Sequence, residues 1–500
     1  MSHHPAAPAL LEACDEIGLY VVDEFADTWF YPKTSHDDSG SFHEEWKDDL
    51  AAMICKDRNH PSVIMYSLGN EVTEPETAYG QALAKTILDY QKSLDPTRPN
   101  TIAINLMLAV LKFSRTPPGS PDTRPPTPSP LVGNVGSSLI NQLANFFTPL
   151  AMTLVKLKQC DLVTKELFSF MDIAGYNYGT DRYLCDSTSY PERLVLGSET
   201  FPCDIARNWD LVERVPNLIG DFMWVGWDYL GETGIGGFDY NVPWWSPGRF
   251  YKSFPYLTAG TGALDITGVE GSVALVAKAA WKLLHQPVVT VRPLNISHIS
   301  YRTTLWRRTD AVPGWAWKNC EGKKAYVEVI SQQEEIELLL NGRSLGRSKG
   351  GLANNYTARF TVAYEPGALL AIGYSGGREV SRSIVRSAGP AMIRAVNERF
   401  GSLAANGQDL AFIRLELADQ NGVVEMNDDD KVQVEVEGPA TLAGLGNGCF
   451  ETQERFDDNV HSTYQGRALV VVRSGMKTGE VIVKVSTEKH GSITVAIKQT

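Results

Sequence analysis

Residues 61–71 read PSVIMYSLGNE. Val63 to Leu68 form a short apolar run with β-branched members, the pattern of a strand buried on both faces of a parallel sheet. The run stops at Gly69-Asn70-Glu71, so a carboxylate stands directly after the strand, at the edge where α/β enzymes keep their chemistry. Residues 193–199, RLVLGSE, repeat the arrangement and deliver Glu199 to the same edge. A lone strand-end glutamate more often caps the helix that follows. Two of them at the ends of parallel strands suit an acid/base and a nucleophile for glycosidic bond cleavage.

Outward from this stretch, strands alternate with helices. Residues 7–17 predict an amphipathic helix ended by Gly18, and 19–24 (LYVVDE) a strand. A loop rich in Asp, Gly and aromatics covers 25–41, and a helix over 42–57 leads through Arg58-Asn59-His60-Pro61 into the Val63 strand. Further strands are expected at 101–107, 172–178, 193–198 and 218–225, with helices over about 76–94, 138–159, 162–170 and 272–284. Apolar strands separated by helices point to a parallel sheet. Residues 115–130, RTPPGSPDTRPPTPSP, have no apolar periodicity and predict a polyproline-like loop.

From about residue 288 the texture changes to apolar–polar alternation with turn signals at Asn341-Gly342 and Asn421-Gly422. Gly389-Pro390 divides the stretch into 289–388 and 389–500, each near the ~100 residues of an immunoglobulin-like sandwich. Neither carries an inter-sheet cysteine pair.

Composition narrows the classes. The 500 residues carry a formal charge of −13, which argues against nucleic-acid or anionic-membrane partners because those need basic patches. Seven dispersed cysteines with no CxxC pair suit reduced thiols better than a disulfide framework or a zinc site. No run approaches the ~20 apolar residues of a membrane span. The first residues lack the pattern of a signal peptide, so the chain is cytoplasmic if Met1 is its true start.

The segments HHP (3–5), CDEIGLYVVDE (14–24), DRNHPSVIMYSLGNE (57–71), DPTRP (95–99), DIAGYNY (172–178), GSET (197–200) and DFMWVGWDYLGE (221–232) follow one order. Together they resemble the catalytic barrel of glycoside hydrolase family 2, the β-galactosidase, β-glucuronidase and β-mannosidase family. The resemblance covers residues 1–287, and the two β modules are similar to C-terminal domains of β-galactosidase-like members. It implies a (β/α)8 TIM barrel followed by two immunoglobulin-like β-sandwiches, and a retaining O-glycosyl hydrolase acting on oligosaccharides or glycosides without a cofactor. Glu71 would be the acid/base, with a raised pKa, and Glu199 the ionised nucleophile. His3, Asn70, Tyr178 and Trp224 would contact substrate or orient the nucleophile.

Two departures qualify the resemblance. Metal-dependent β-galactosidases carry Glu and His after LYVVDE where this chain has Thr28 and Phe30, so no magnesium site is expected there. Only about six of the eight barrel strands are found, beginning at what should be the third. An incomplete barrel, and hence a fragment of a longer enzyme, is therefore expected, with a non-catalytic carbohydrate-binding or vestigial protein as the alternative.

Overall fold

The computed structural model describes residues 2–34, 36–72, 74–106, 155–243, 252–399 and 401–500. The proline-rich stretch 115–130 and most of the helix expected over 138–159 lie outside these residues. The chain forms two compact units, Met1–Asp204 with Asn208–Trp224, and Ile205–Arg207 with Val225–Thr500.

The first unit is built on a six-stranded parallel sheet: β1 (Val21–Glu24), β2 (Val63–Asn70), β3 (Asn100–Asn105), β4 (Ile173–Asn177), β5 (Leu194–Thr200) and β6 (Leu218–Met223). Their spatial order equals their sequence order, each strand pairing in parallel with the next. Helices α1 (Pro8–Ile17), α2 (Phe42–Asp57), α3 (Ala78–Leu94), α4 (Lys158–Phe170), α5 (Tyr183–Ser189) and α6 (Ile205–Arg214) precede successive strands. This is six strands' worth of a (β/α)8 arrangement.

Local chemistry sets the helix ends. Gly18 closes α1 in the left-handed conformation (φ 80°), and the Thr77 side chain caps α3 by accepting from the Gly80 N–H. Side chains on a strand alternate between faces, so Tyr66 and Leu68 join the core shared with the helices, beside Trp46, Leu50 and Ile87. Met65 points the other way and packs with Ile173, Leu196 and Val22 in a smaller apolar cluster.

The second unit contains α7 (Ser272–Ala280) and four four-stranded antiparallel sheets that make two β-sandwiches. In the first, β7 (Val288–Val291) and β8 (Lys324–Ile330) face β9 (Glu335–Leu340) and β10 (Ala368–Ser375) across a core containing Trp315, Trp317 and Tyr364. In the second, strands Leu410–Ala418 and Arg467–Ser474 face Lys431–Glu437 and Gly479–Thr487 across an aliphatic core. No described helix is long and apolar enough to cross a membrane.

Candidate active site

The carboxyl ends of β2 to β5 bring one polar cluster together. β2 ends at Asn70, β3 at Asn105 and β4 at Asn177, while β5 runs on through Glu199 to Thr200. Glu199 therefore lies within its strand rather than beyond it, paired in register with Asn177. Glu71 and Tyr178 come one residue after β2 and β4. Each continues the ladder by one bond, Glu71 N–H to Ala103 O at 2.8 Å and Tyr178 N–H to Glu199 O at 2.7 Å. Both then turn through left-handed backbone, with φ of 44° and 55°. Such backbone costs of order 1–3 kcal/mol in a residue with a side chain and persists where surrounding bonds over-determine it.

Glu199 is 8% exposed. Burial raises its carboxyl pKa first and the neighbouring Glu71 charge second; Glu24 adds to this, while His3 and the Tyr178 hydrogen bond oppose it, leaving the pKa at about 8. The Glu71 side chain lies half-buried, and its Oε1 accepts from Asn105 Nδ2 at 2.8 Å and Asn177 Nδ2 at 3.1 Å. The two glutamates thus share one electrostatic environment. Sequence reasoning took Glu199 as the ionised partner, whereas its carboxyl pKa is raised. The cause is burial, because Glu199 sits inside its strand.

His3 Nδ1 bonds Glu24 Oε1 at 2.8 Å, and its Nε2 lies 3.8 Å from Glu199 Oε1. Burial would lower its pKa, but the Glu24 bond and the charges of Glu199, Glu24 and Asp27 raise it to about 9. Its ring stacks on Trp224, with centroids 4.9 Å apart and planes 15° from parallel. Ser67 Oγ anchors Glu24 from the far side at 2.8 Å. Because both nitrogens of a charged imidazole donate, the 3.4 Å approach of Asn70 Nδ2 to His3 Nε2 is a contact without a shared proton. Tyr178 packs its ring on Phe201, centroids 4.5 Å apart.

All six residues singled out from sequence, His3, Asn70, Glu71, Tyr178, Glu199 and Trp224, fall in the first unit and join this cluster. Sequence reasoning missed Glu24, Asp27, Lys33, Asn105 and Asn177. Asn105 and Asn177 carried a usable signal, since both end strands at the edge that holds Glu71. Phe30 packs against His43 and Tyr79, and Thr28 is buried. Among the described residues no cluster of three or more His, Cys, Asp or Glu side chains is arranged to hold a metal ion.

Residues 1–113 match the TIM barrel domain of glycosyl hydrolases family 2, residues 395–496 match the glycoside hydrolase family 2 C-terminal domain 5, and residues 322–381 match a domain of unknown function. The chain is 27% identical to the beta-galactosidase BoGH2A of Bacteroides ovatus, over 97% of this chain and 55% of that protein. It is 27% identical to a putative beta-glucuronidase of Formosa agariphila, over 95% of this chain and 42% of that protein. A crystal structure of a glycosyl hydrolase family 2 member from Bacteroides cellulosilyticus superposes with a TM-score of 0.80 at 30% identity, covering 100% of this chain and 57% of that one. The chain therefore spans about half the length of the relatives it matches.

Proposed function

We propose, from the premise that this chain belongs to glycoside hydrolase family 2, that it carries the catalytic centre of a retaining O-glycosyl hydrolase of β-galactosidase type. Its domains are taken as a catalytic region over 1–287 and immunoglobulin-like modules over 289–388 and 389–500. The observation that carries the reading is that Asn177, in register with Glu199, donates to Glu71 Oε1 at 3.1 Å, so both carboxyls belong to one cluster at the strand ends. A retaining pair needs its carboxyls about 5–5.5 Å apart, with no water between nucleophile and sugar.

In this reading Glu71 protonates the leaving oxygen while Glu199 attacks the anomeric carbon and forms a glycosyl-enzyme. Water, activated by the now ionised Glu71, then releases the sugar. Glu199 must be ionised to attack, although burial and the Glu71 charge favour its acid form. Moving that proton to Glu71 removes the Glu71 charge and leaves His3 and Tyr178 to stabilise the Glu199 carboxylate. The pair thus needs one shared proton and no cofactor.

The substrate is a glycoside or oligosaccharide. Among the described residues, the cations in this hydrogen-bond network, His3 and Lys33, already face carboxylates at 2.8 Å (Glu24) and 2.6 Å (Asp27). That favours a neutral sugar over a uronate, which would need a free cation.

The test is a comparison of aryl β-galactoside, β-glucuronide and β-mannoside turnover, with trapping by a 2-fluoro-glycoside. A covalent label on the peptide carrying Glu199, and highest turnover on the galactoside, are expected. Glu199→Gln should abolish turnover on all three. A label on Glu71, or turnover through an inverted product, would overturn the mechanism; preference for the glucuronide would overturn the substrate.

A further inference from the structure

We propose that Lys33 and Asp27 are positioning residues that dictate which oxygen of Glu71 carries the proton, acting through the amides of Asn70 and Asn177. This rests on the reading of Glu71 as the acid/base. Lys33 Nζ lies 2.6 Å from Asp27 Oδ1 and 2.8 Å from the Asn70 carbonyl oxygen, so the loop after β1 is tied to the end of β2. Burial raises the Asp27 pKa, but the Lys33 charge and hydrogen bond, the His3 charge and the Asn70 bond outweigh it and hold the carboxyl below its ordinary value. Asp27 is therefore ionised, and an ionised carboxylate only accepts.

That single fact orients each group that follows. Asn70 must turn its Nδ2 toward Asp27, at 3.1 Å, which leaves its Oδ1 facing Asn177. Asn177 must then present its Nδ2, which donates at 2.9 Å to Asn70 Oδ1 and at 3.1 Å to Glu71 Oε1. The Asn177 Oδ1 is left to accept from Ser198 Oγ at 2.7 Å. Asn105 supplies a second amide donor to the same Glu71 Oε1 at 2.8 Å. With two donors on Oε1, a proton on Glu71 belongs on Oε2. An amide can flip end for end, and a carboxylate held ionised by an ammonium at the start of the relay prevents that flip. Without the Lys33 charge, a flipped Asn70 would force Asn177 to aim its oxygen at the Glu71 carboxylate.

The test uses the full chain with Lys33→Met, Asp27→Asn and Lys33→Arg, on two glycosides of one sugar. One has an activated aryl leaving group that needs little acid assistance, the other a poor alkyl leaving group. Lys33→Met and Asp27→Asn should lower kcat/KM on the alkyl glycoside by about tenfold or more, a part of the 10²–10⁴ that a positioned acid supplies, and spare the activated substrate. Lys33→Arg should recover most of the loss. A readout independent of turnover is carbodiimide–amine coupling to Glu71, followed by mass spectrometry. Coupling should speed up in Lys33→Met and Asp27→Asn but not in Lys33→Arg. Equal loss on both substrates, or unchanged activity and unchanged coupling, overturns the proposal. Asp27→Asn is nearly isosteric and keeps the test open if Lys33→Met does not fold. Glu71→Gln run alongside separates the two ideas. If Glu71→Gln itself fails to discriminate the leaving groups, the acid/base reading falls and takes this one with it. If it discriminates and the Lys33 and Asp27 variants do not, only the positioning role falls.

Discussion

Replacing Gly197 with alanine should damage stability and catalysis together, because Gly197 sits two residues before Glu199 where there is no room for a side chain. A Cβ built there falls 2.5 Å from the Tyr183 hydroxyl and 2.7 Å from Asp221 Oδ1. Neither neighbour yields easily. Tyr183 is 1% exposed in the core, and burial raises the Asp221 carboxyl pKa to about 7, so that group is already poorly solvated. One of the groups, or β5 itself, must move by roughly 0.7–0.9 Å to restore an ordinary contact of about 3.4 Å. Overpacking of this kind costs about 1–3 kcal/mol. In a unit of this size that is a loss of roughly 2–12 °C in Tm, at about 2–4 °C per kcal/mol. Displacement of a reacting group by about 1 Å can cost about 100-fold in rate. The assays are thermal unfolding and kcat on an activated aryl glycoside. A Gly197→Ala protein with unchanged Tm and kcat would show that the strand absorbs the methyl group and that the packing argument is wrong.

Other outcomes follow from the same geometry. Glu199 has a folded pKa of about 8 against an ordinary 4.5, so it binds a proton in the folded state that the unfolded chain has released. Its stabilising contribution is complete below about pH 4.5 and is lost as pH rises to about 8. Glu199→Gln should therefore raise Tm at pH 8 more than at pH 5, measured by calorimetry, while removing turnover. Tyr178→Phe removes a hydrogen bond that lowers the Glu199 pKa, so the acid limb of the kcat/KM profile should move to higher pH. Trp224→Ala removes the ring stacked on His3 and a cation–π contribution of about 1 kcal/mol to the imidazolium. The His3 pKa should fall, read by NMR titration, and Trp224→Phe should restore most of it.

Much of this was legible because buried parallel strands are unusually plain in sequence. A run such as VIMYSL has to satisfy apolar surroundings on both faces, so it announces its position and, through Gly69-Asn70-Glu71, its edge. All six strands of the first unit were readable on that basis, within a few residues at each end. The sandwiches were less legible. Strands Arg343–Lys349, Arg378–Arg386, Met392–Asn397, Ala440–Gly446 and Val460–Ser462 were missed, and each forms the outer edge of its sheet. An edge strand has solvent beside it and little apolar patterning; RSLGRSK reads as a polar loop until its partner is known. In the site, the glutamates were found because they end strands. Lys33 was not, because it belongs to a loop and acquires meaning only through Asp27 and Asn70. Its hydrogen bond to Asn70 spans 37 positions of sequence, and no local pattern encodes it.

The charge inventory of the site explains why the Glu199 carboxyl, which sequence reasoning took as ionised, has its pKa raised to about 8. Four carboxylates, Glu24, Asp27, Glu71 and Glu199, meet two cations, His3 and Lys33. Lys33 is committed to Asp27 and His3 to Glu24, so each ion pair is nearly closed before the catalytic pair is counted. What remains is two carboxylates of like charge sharing a poorly hydrated space. The second ionisation there is opposed by burial and by the first charge together. Glu199 is buried, while Glu71 is half-buried and accepts two amide hydrogen bonds. A sugar bound between them displaces water from Glu71 and brings a leaving oxygen with a demand for a proton. With Glu199 as nucleophile and Glu71 as acid, as proposed above, the raised Glu199 pKa requires that the Glu199 proton leave when substrate binds. On that proposal the two roles depend on substrate binding as well as on the raised Glu199 pKa.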